Sequence, residues 1–385
     1  MTNKFTVILP MPARDPDERH RAATSLELLF DLASVIAIAA AAASLHHAIA
    51  NGHALESIPR YLMAFFAVWW AWMNFAWFAS AYDNDDALYR VLTMVMMGGA
   101  LLIAAGTPRF FDSLDISLVV GGYVVMRLGL VPLWLRAAKH DTVRRPTTLR
   151  YAAGIVLAQA YWIGLFTLVS TGATIFIPLV LLGFVIELSV PAYAERVSPT
   201  PWHRHHIIER YGLLTIIVLG EVLLSAVLAL EAAWDGSFDI RLVHVAMSAL
   251  VITFAMWWLY FSREEHLQTN KLRHALQWGY GHVIVFASGA AVGAGFAVLV
   301  DVLTAHAHVT LQTGDFAVAI PLACYMLGLW FVRDRLILKG AVRWVLPCFA
   351  IPIAILPFAF PSLEIIAALA VATVATRAGL LRKLS

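Results

Sequence analysis

Apolar runs of about 20 residues recur along the whole sequence, and a helix of that length crosses a hydrocarbon core of roughly 30 Å at about 1.5 Å per residue. The runs fall near 26–46, 60–80, 89–106, 115–136, 149–170, 173–193, 211–231, 243–262, 277–300, 312–332, 341–359 and 361–381. Lipid supplies no partners for backbone N–H and C=O groups, so only helices and closed barrels span it. Barrel strands alternate apolar and polar residues over about 10 positions, whereas these runs are continuous. With 61% hydrophobic and 14% charged residues and a mean hydropathy of +0.77, the chain also has too little charge to cover a soluble domain. The expected fold is an all-α integral membrane protein with about 12 transmembrane helices.

The basic residues orient those spans. With the N-terminus inside, the even-numbered loops and both tails hold all but four of the 27 Lys and Arg. Arg60, Arg109 and Arg241 fall in outer loops, and Arg127 lies within a span. One inner loop carries Arg136, Lys139, Arg144, Arg145 and Arg150; another carries Arg333, Arg335, Lys339 and Arg343. So lopsided a split puts both termini in the cytoplasm of a multi-pass protein. Residues 1–24 are mostly polar, with no apolar stretch ending in a small-residue cleavage site, so the first run reads as a retained span behind a cytoplasmic tail.

The chain repeats near its midpoint. Leu62-Met63-Ala64-Phe65-Phe66-Ala67-Val68-Trp69-Trp70 resembles Leu250-Val251-Ile252-Thr253-Phe254-Ala255-Met256-Trp257-Trp258. The expected domains are therefore a first six-helix repeat over 1–195 and a second over 196–385. Six spans per half is an even number, so the repeats are parallel.

A charge near the bilayer centre costs about 2.5–3.5 kcal/mol on insertion scales and marks the bundle interior. Glu27 and Asp31 sit four residues apart in the first span and share a helix face; Glu27 also reads as an ordinary first-turn acid. In the seventh span Arg210, Leu214, Ile217 and Glu221 follow one face, next to Glu209. Arg127, about 13 Å into the fourth span, needs acceptors, and Asp31, Glu187 and Glu221 lie at suitable depth. The expectation is one polar cluster of Glu27, Asp31, Arg127, Glu187, Glu209, Arg210 and Glu221, either a register-fixing salt-bridge network or an ion, proton or substrate site.

Several other features carry weaker chemistry. Tyr82-Asp83-Asn84-Asp85-Asp86, followed by Arg90, is an acidic loop without EF-hand spacing, read as a solvated loop with the option of cation binding. His203, His205, His206, His266, His274 and His282 surround the inner ends of spans 7 to 9 without tight ligand spacing. Asp83, Asp85, Asp86, Arg90, His206 and His274 are thus candidates for polar contacts on the inner side, and no metal or other cofactor is expected. The 13 tryptophans, crowded at Trp69, Trp70, Trp72 and Trp77, read chiefly as packing. Cys324 and Cys348 lie inside apolar runs as small packing residues. No P-loop, Gly-x-Ser-x-Gly, His-Glu-x-x-His or dinucleotide fingerprint occurs, so no enzyme class is indicated.

Three stretches together resemble the bacterial low temperature requirement A family: Ser25-Leu26-Glu27-Leu28-Leu29-Phe30-Asp31-Leu32; the Trp-rich second span leading to Asp83-Asn84-Asp85-Asp86 and Arg90; and Glu209-Arg210-Tyr211-Gly212-Leu213-Leu214 through Leu219-Gly220-Glu221. Family members often have Trp before the first Glu, a position without an aromatic here. The resemblance implies a multispan bacterial inner-membrane protein linked by name to growth in the cold, and no known chemistry. A fainter likeness joins the first span to the six-plus-six-helix lysosomal potassium channels, whose Phe-Ser-Asp motif is Phe30-Asp31 here.

The leading expectation is an ion- or proton-linked transporter or channel. In it Asp31 and Glu221 bind a small cation, a proton or a small solute where the two halves meet, and Arg127 balances them. The alternatives are a membrane enzyme or lipid-acting protein, and a non-catalytic envelope scaffold or sensor for growth in the cold. The lipid bilayer is the one partner implied, nucleic acid is not, and oligomeric state is not legible.

Overall fold

The computed structural model describes residues 8–19, 21–170, 172–233, 239–263, 267 and 271–383. Among them are 12 helices long and apolar enough to cross a membrane, one for each expected run, and no strand. They are α1 (Ser25–Ala50), α2 (Ala54–Tyr82), α3 (Ala87–Ser113), α4 (Ser117–His140), α5 (Arg145–Leu168), α6 (Phe176–Ala194), α7 (Arg204–Ala233), α8 (Ile240–Phe261), α9 (Leu272–Leu303), α10 (Leu311–Leu329), α11 (Val345–Ala359) and α12 (Leu363–Arg382).

Two elements are longer than their hydropathy suggests. The expected third span is short because Thr107-Pro108-Arg109 interrupts it, yet α3 carries Pro108 inside the helix and continues to Ser113. Helix α10 runs on through a π-helical turn, Trp330–Asp334, and a last turn, Arg335–Ile337, so residues expected in a loop stay helical. His266 lies outside the described residues.

The chain forms two compact units. The first comprises Met1–Ala37, Ala67–Arg210 and Asn270–Leu272; the second comprises Ile38–Phe66, Tyr211–Thr269 and Arg273–Ser385. In the first unit, α3 lies along α4, α4 along α5 and α5 along α6. Small residues set the α3–α4 approach: a Cβ on Gly122 would come within 2.6 Å of the Gly99 carbonyl oxygen, the close contact that glycine permits between membrane helices. In the second unit α10 packs on α11, and α12 packs on both α8 and α11.

The segment before α1 is not a free tail. Met11 is fully buried. Arg14 N–H donates to the Ala81 carbonyl (3.0 Å), and Leu9 N–H donates to Asp86 (2.8 Å). Arg136 reaches back to the Leu9 carbonyl (3.2 Å), and the His203 ring lies 2.9 Å from the Glu18 carbonyl. Residues 9–19 and Arg21 thus cover the α2–α3 loop and the start of α7 within the first unit.

Candidate functional site

Local sequence chemistry places each charged group of the first unit. Helix α1 opens with a capping box: Thr24 Oγ1 accepts from Glu27 N–H (3.3 Å), and Glu27 Oε2 accepts from Thr24 N–H (2.8 Å), which satisfies two orphan donors reciprocally. One oxygen of Glu27 is thus the ordinary first-turn acid that the sequence suggests. The other points to α7, where Glu27 Oε1 lies 3.2 Å from His206 Nε2 and 3.3 Å from Arg210 Nη1. Helix α7 starts by using His203 as its cap, with His206 N–H donating to His203 Nδ1 (3.1 Å). The cap fixes the register that turns His206 and Arg210, one turn apart, toward α1.

Asp31, one turn deeper, completes the group. Its Oδ1 accepts from Arg210 Nη2 (2.5 Å) and from the Trp72 indole N–H (2.6 Å). Glu27, Asp31, His206 and Arg210 are all fully buried. Two carboxylates against one guanidinium leave one negative charge when His206 is neutral. Several polar atoms here have no aligned hydrogen-bond partner among the described residues: Asp31 Oδ2, Glu27 Oε1, Arg210 Nη1 and both His206 nitrogens. Tyr89, fully buried within electrostatic reach of Asp83, Glu27 and Arg210, likewise has an unpartnered hydroxyl.

Arg127 finds Glu187 in a separate group. Its Nη2 donates to both Glu187 oxygens at 3.0 Å. The indoles of Trp70 (2.8 Å) and Trp162 (3.2 Å) donate to the same carboxylate, and the guanidinium lies 4.8 Å from the Tyr123 ring centroid. This group is charge-balanced, and both Glu187 oxygens are engaged. Where the sequence suggests one cluster, the first unit holds two groups with no hydrogen bond or ion pair between them among the described residues. Glu209 is half-buried and makes no ion pair among those residues; Glu221, also half-buried, belongs to the second unit.

The acidic loop is not a solvated one. Asp83 and Asp86 are buried. Asp86 caps α3 by accepting from Tyr89 N–H (2.7 Å) and pairs with Arg136 (2.5 Å); despite its burial, these donors hold its carboxyl below the usual range. Asp83 lies 3.5 Å from Arg21 and 3.7 Å from Arg14. Burial, reinforced by the charge of Glu27, pushes it up to about 6 against the pull of those arginines. Asp85, at a left-handed φ of 51°, is exposed and holds Arg90 (2.7 Å). His274 is exposed on α9.

Sequence reading misses a further buried group, in the second unit. Asp334, on the π-helical turn, accepts from Arg333 (2.6 Å) and Arg377 (3.0 Å), while Arg333 donates to the Leu259 and Tyr260 carbonyls that end α8 (2.8 and 2.9 Å). A Glu four residues from a long apolar run is conspicuous; an Arg-Asp-Arg string after one reads as loop. Also missed are the indole donors to Asp31 and Glu187, although a buried Trp N–H needs an acceptor.

A profile of the bacterial low temperature requirement A protein matches residues 22–378. The chain belongs to that family. The match covers the first eleven spans, most of α12 and the motif stretches in α1 and α7, so the Glu27, Asp31 and Arg210 group lies within the family's own region. An uncharacterized protein of Rhizobium meliloti (strain 1021) is 25% identical over 319 residues, covering 76% of this chain and 72% of that protein. No solved structure matches.

Proposed function

We propose that this low temperature requirement A protein is an ion- or proton-linked transporter or channel of the bacterial cytoplasmic membrane, and that Glu27, Asp31, Arg210 and His206 form its site for a proton or small cation. One observation carries the reading: the group is buried in the first unit with one uncompensated negative charge and with carboxylate, imidazole and phenol atoms that lack aligned partners. A buried ion pair that fixes helix register is cheapest when its charges balance, as those of Arg127 and Glu187 do. A group one charge short takes up a cation or a proton and changes its internal pairing as it does so: His206 and Arg210 compete for Glu27 Oε1, and Asp31 has a free oxygen to offer.

The basic residues of the even-numbered loops support cytoplasmic termini, which sets this group near the inner face. The similarity at an offset near half the chain supports two parallel six-helix repeats, 1–195 and 196–385.

The test is flux in proteoliposomes. Purified protein is reconstituted, and proton, sodium and potassium fluxes are followed with and without an imposed potential. Protein-dependent flux of one of these ions, abolished in folded Asp31→Asn protein, is the expected result. No protein-dependent flux, or wild-type flux in the variant, contradicts the reading. A loss of thermal stability without any flux in the wild type would favour the envelope scaffold.

A further inference from the structure

A second constellation lies far along α1 from Glu27, in the second unit. The last turn of α1 presents His46 and His47, and the last turn of α9 presents Asp301. His46 Nε2 lies 2.7 Å from Asp301 Oδ2, the two imidazole rings lie 4.6 Å apart, and one ligand atom from each of the three residues falls within 4.8 Å of the others. Backbone bonds fix the arrangement. The Asp301 carbonyl accepts from His306 N–H (2.8 Å) and Ala307 N–H (3.2 Å), and His308 N–H donates to the carbonyl of Ala50, the last residue of α1 (2.7 Å). The loop after α9, turning through Ala305 at a left-handed φ of 60°, therefore ties the ends of α1 and α9 together and brings His306 and His308 to the same end.

We infer that His46, His47 and Asp301 form a binding site for a divalent transition-metal ion of the zinc class. Imidazole nitrogens with one carboxylate oxygen are the donors that zinc selects. Tetrahedral bonds of about 2.0–2.2 Å set ligand atoms roughly 3.4 Å apart. The His46–Asp301 contact needs to open slightly and the His47 imidazole to draw in, which side-chain rotation supplies. An Asp–His pair that only steadies one ring requires no second imidazole. The exposed His47 ring touches His46 and makes no hydrogen bond or ion pair with a described residue. Helix ends tied through the backbone of the intervening loop give rigid support for all three ligands.

Zinc binding to tag-free protein in detergent tests the inference, by calorimetry and by metal content after dialysis. Cobalt substitution reports tetrahedral coordination through its visible spectrum. The expected result is one zinc ion per chain, with His47→Ala and Asp301→Asn each weakening binding at least tenfold. The exposed His274→Ala, on the opposite end of α9, should leave it unchanged. Because His47 is exposed, its variant reports on binding without disturbing the fold. Absence of stoichiometric zinc, or equal losses in the His47 and His274 variants, overturns the site. The measurement is independent of ion flux: Asp31→Asn should bind zinc as the wild type does.

Discussion

Glu187 and Asp31 are both buried acids beside an arginine and a tryptophan, and they should differ in how much stability each loses with its charge. Glu187→Gln leaves Arg127 buried without its counter-ion, a change that costs about 3–5 kcal/mol, visible as a marked drop in thermal midpoint in detergent. Asp31→Asn keeps an oxygen for Trp72 and Arg210, and Arg210 still has Glu27, so stability should stay within about 1 kcal/mol of wild type. Depth along the spans brought Asp31, Glu187 and Glu221 equally within reach of Arg127. Only packing selects Glu187, because it adds the Trp70 and Trp162 donors that depth does not encode. Asp83 offers a pH test. Its folded carboxyl titrates at about 6, above the ordinary value near 3.9, so the folded state holds the proton more tightly. Its contribution to stability is greatest at low pH and declines as pH rises from about 4 through 6. Relative to Asp83→Asn, the wild type should therefore lose about 1 kcal/mol between pH 5 and 7.5, read as the difference in thermal midpoints.

Helices were legible where the physics is one-dimensional. Twelve runs long enough to span became twelve helices, because backbone satisfaction in lipid depends only on local length and apolarity. Ends were less legible: Pro108 sits within α3, and a π-helical turn carries α10 to Asp334, where the Arg333, Asp334 and Arg377 group pins α8, α10 and α12. Contacts between helices were not legible from hydropathy, since small residues that set an approach look like any other apolar position. On α4, Gly122→Ala would drive a methyl to 2.6 Å from the Gly99 carbonyl oxygen and 2.9 Å from Ile103, an overpacking cost of about 1–3 kcal/mol. Gly98→Ala, with nothing within 4 Å, should raise the thermal midpoint slightly, by the roughly 0.5–1 kcal/mol that alanine gains over glycine inside a helix. Side by side, the two variants separate the α3–α4 contact from helix propensity.

At the scale of the whole molecule, the buried charges form three groups. The Arg127–Glu187 pair is balanced, and the Arg333, Asp334 and Arg377 group, with one positive charge in excess, also engages the backbone carbonyls that end α8 and ties helix ends together. The Glu27, Asp31, His206 and Arg210 group holds an unpaired charge inside a bundle whose surroundings cannot hydrate it. Sequence cost alone pointed to Glu27, Asp31 and Arg210. It did not reveal Tyr89 or Trp72 beside them, nor the pre-α1 segment that packs over Asp83, since these meet only through the fold. The measurement that bears most directly on the central claim is cation and proton flux through proteoliposomes, compared among wild-type, Asp31→Asn and Glu187→Gln preparations of equal folded content. The account predicts flux in the wild type, at least a tenfold loss in Asp31→Asn, and flux per folded molecule retained in Glu187→Gln despite its lower stability. Equal flux in the wild type and Asp31→Asn, or none in any preparation, would contradict it.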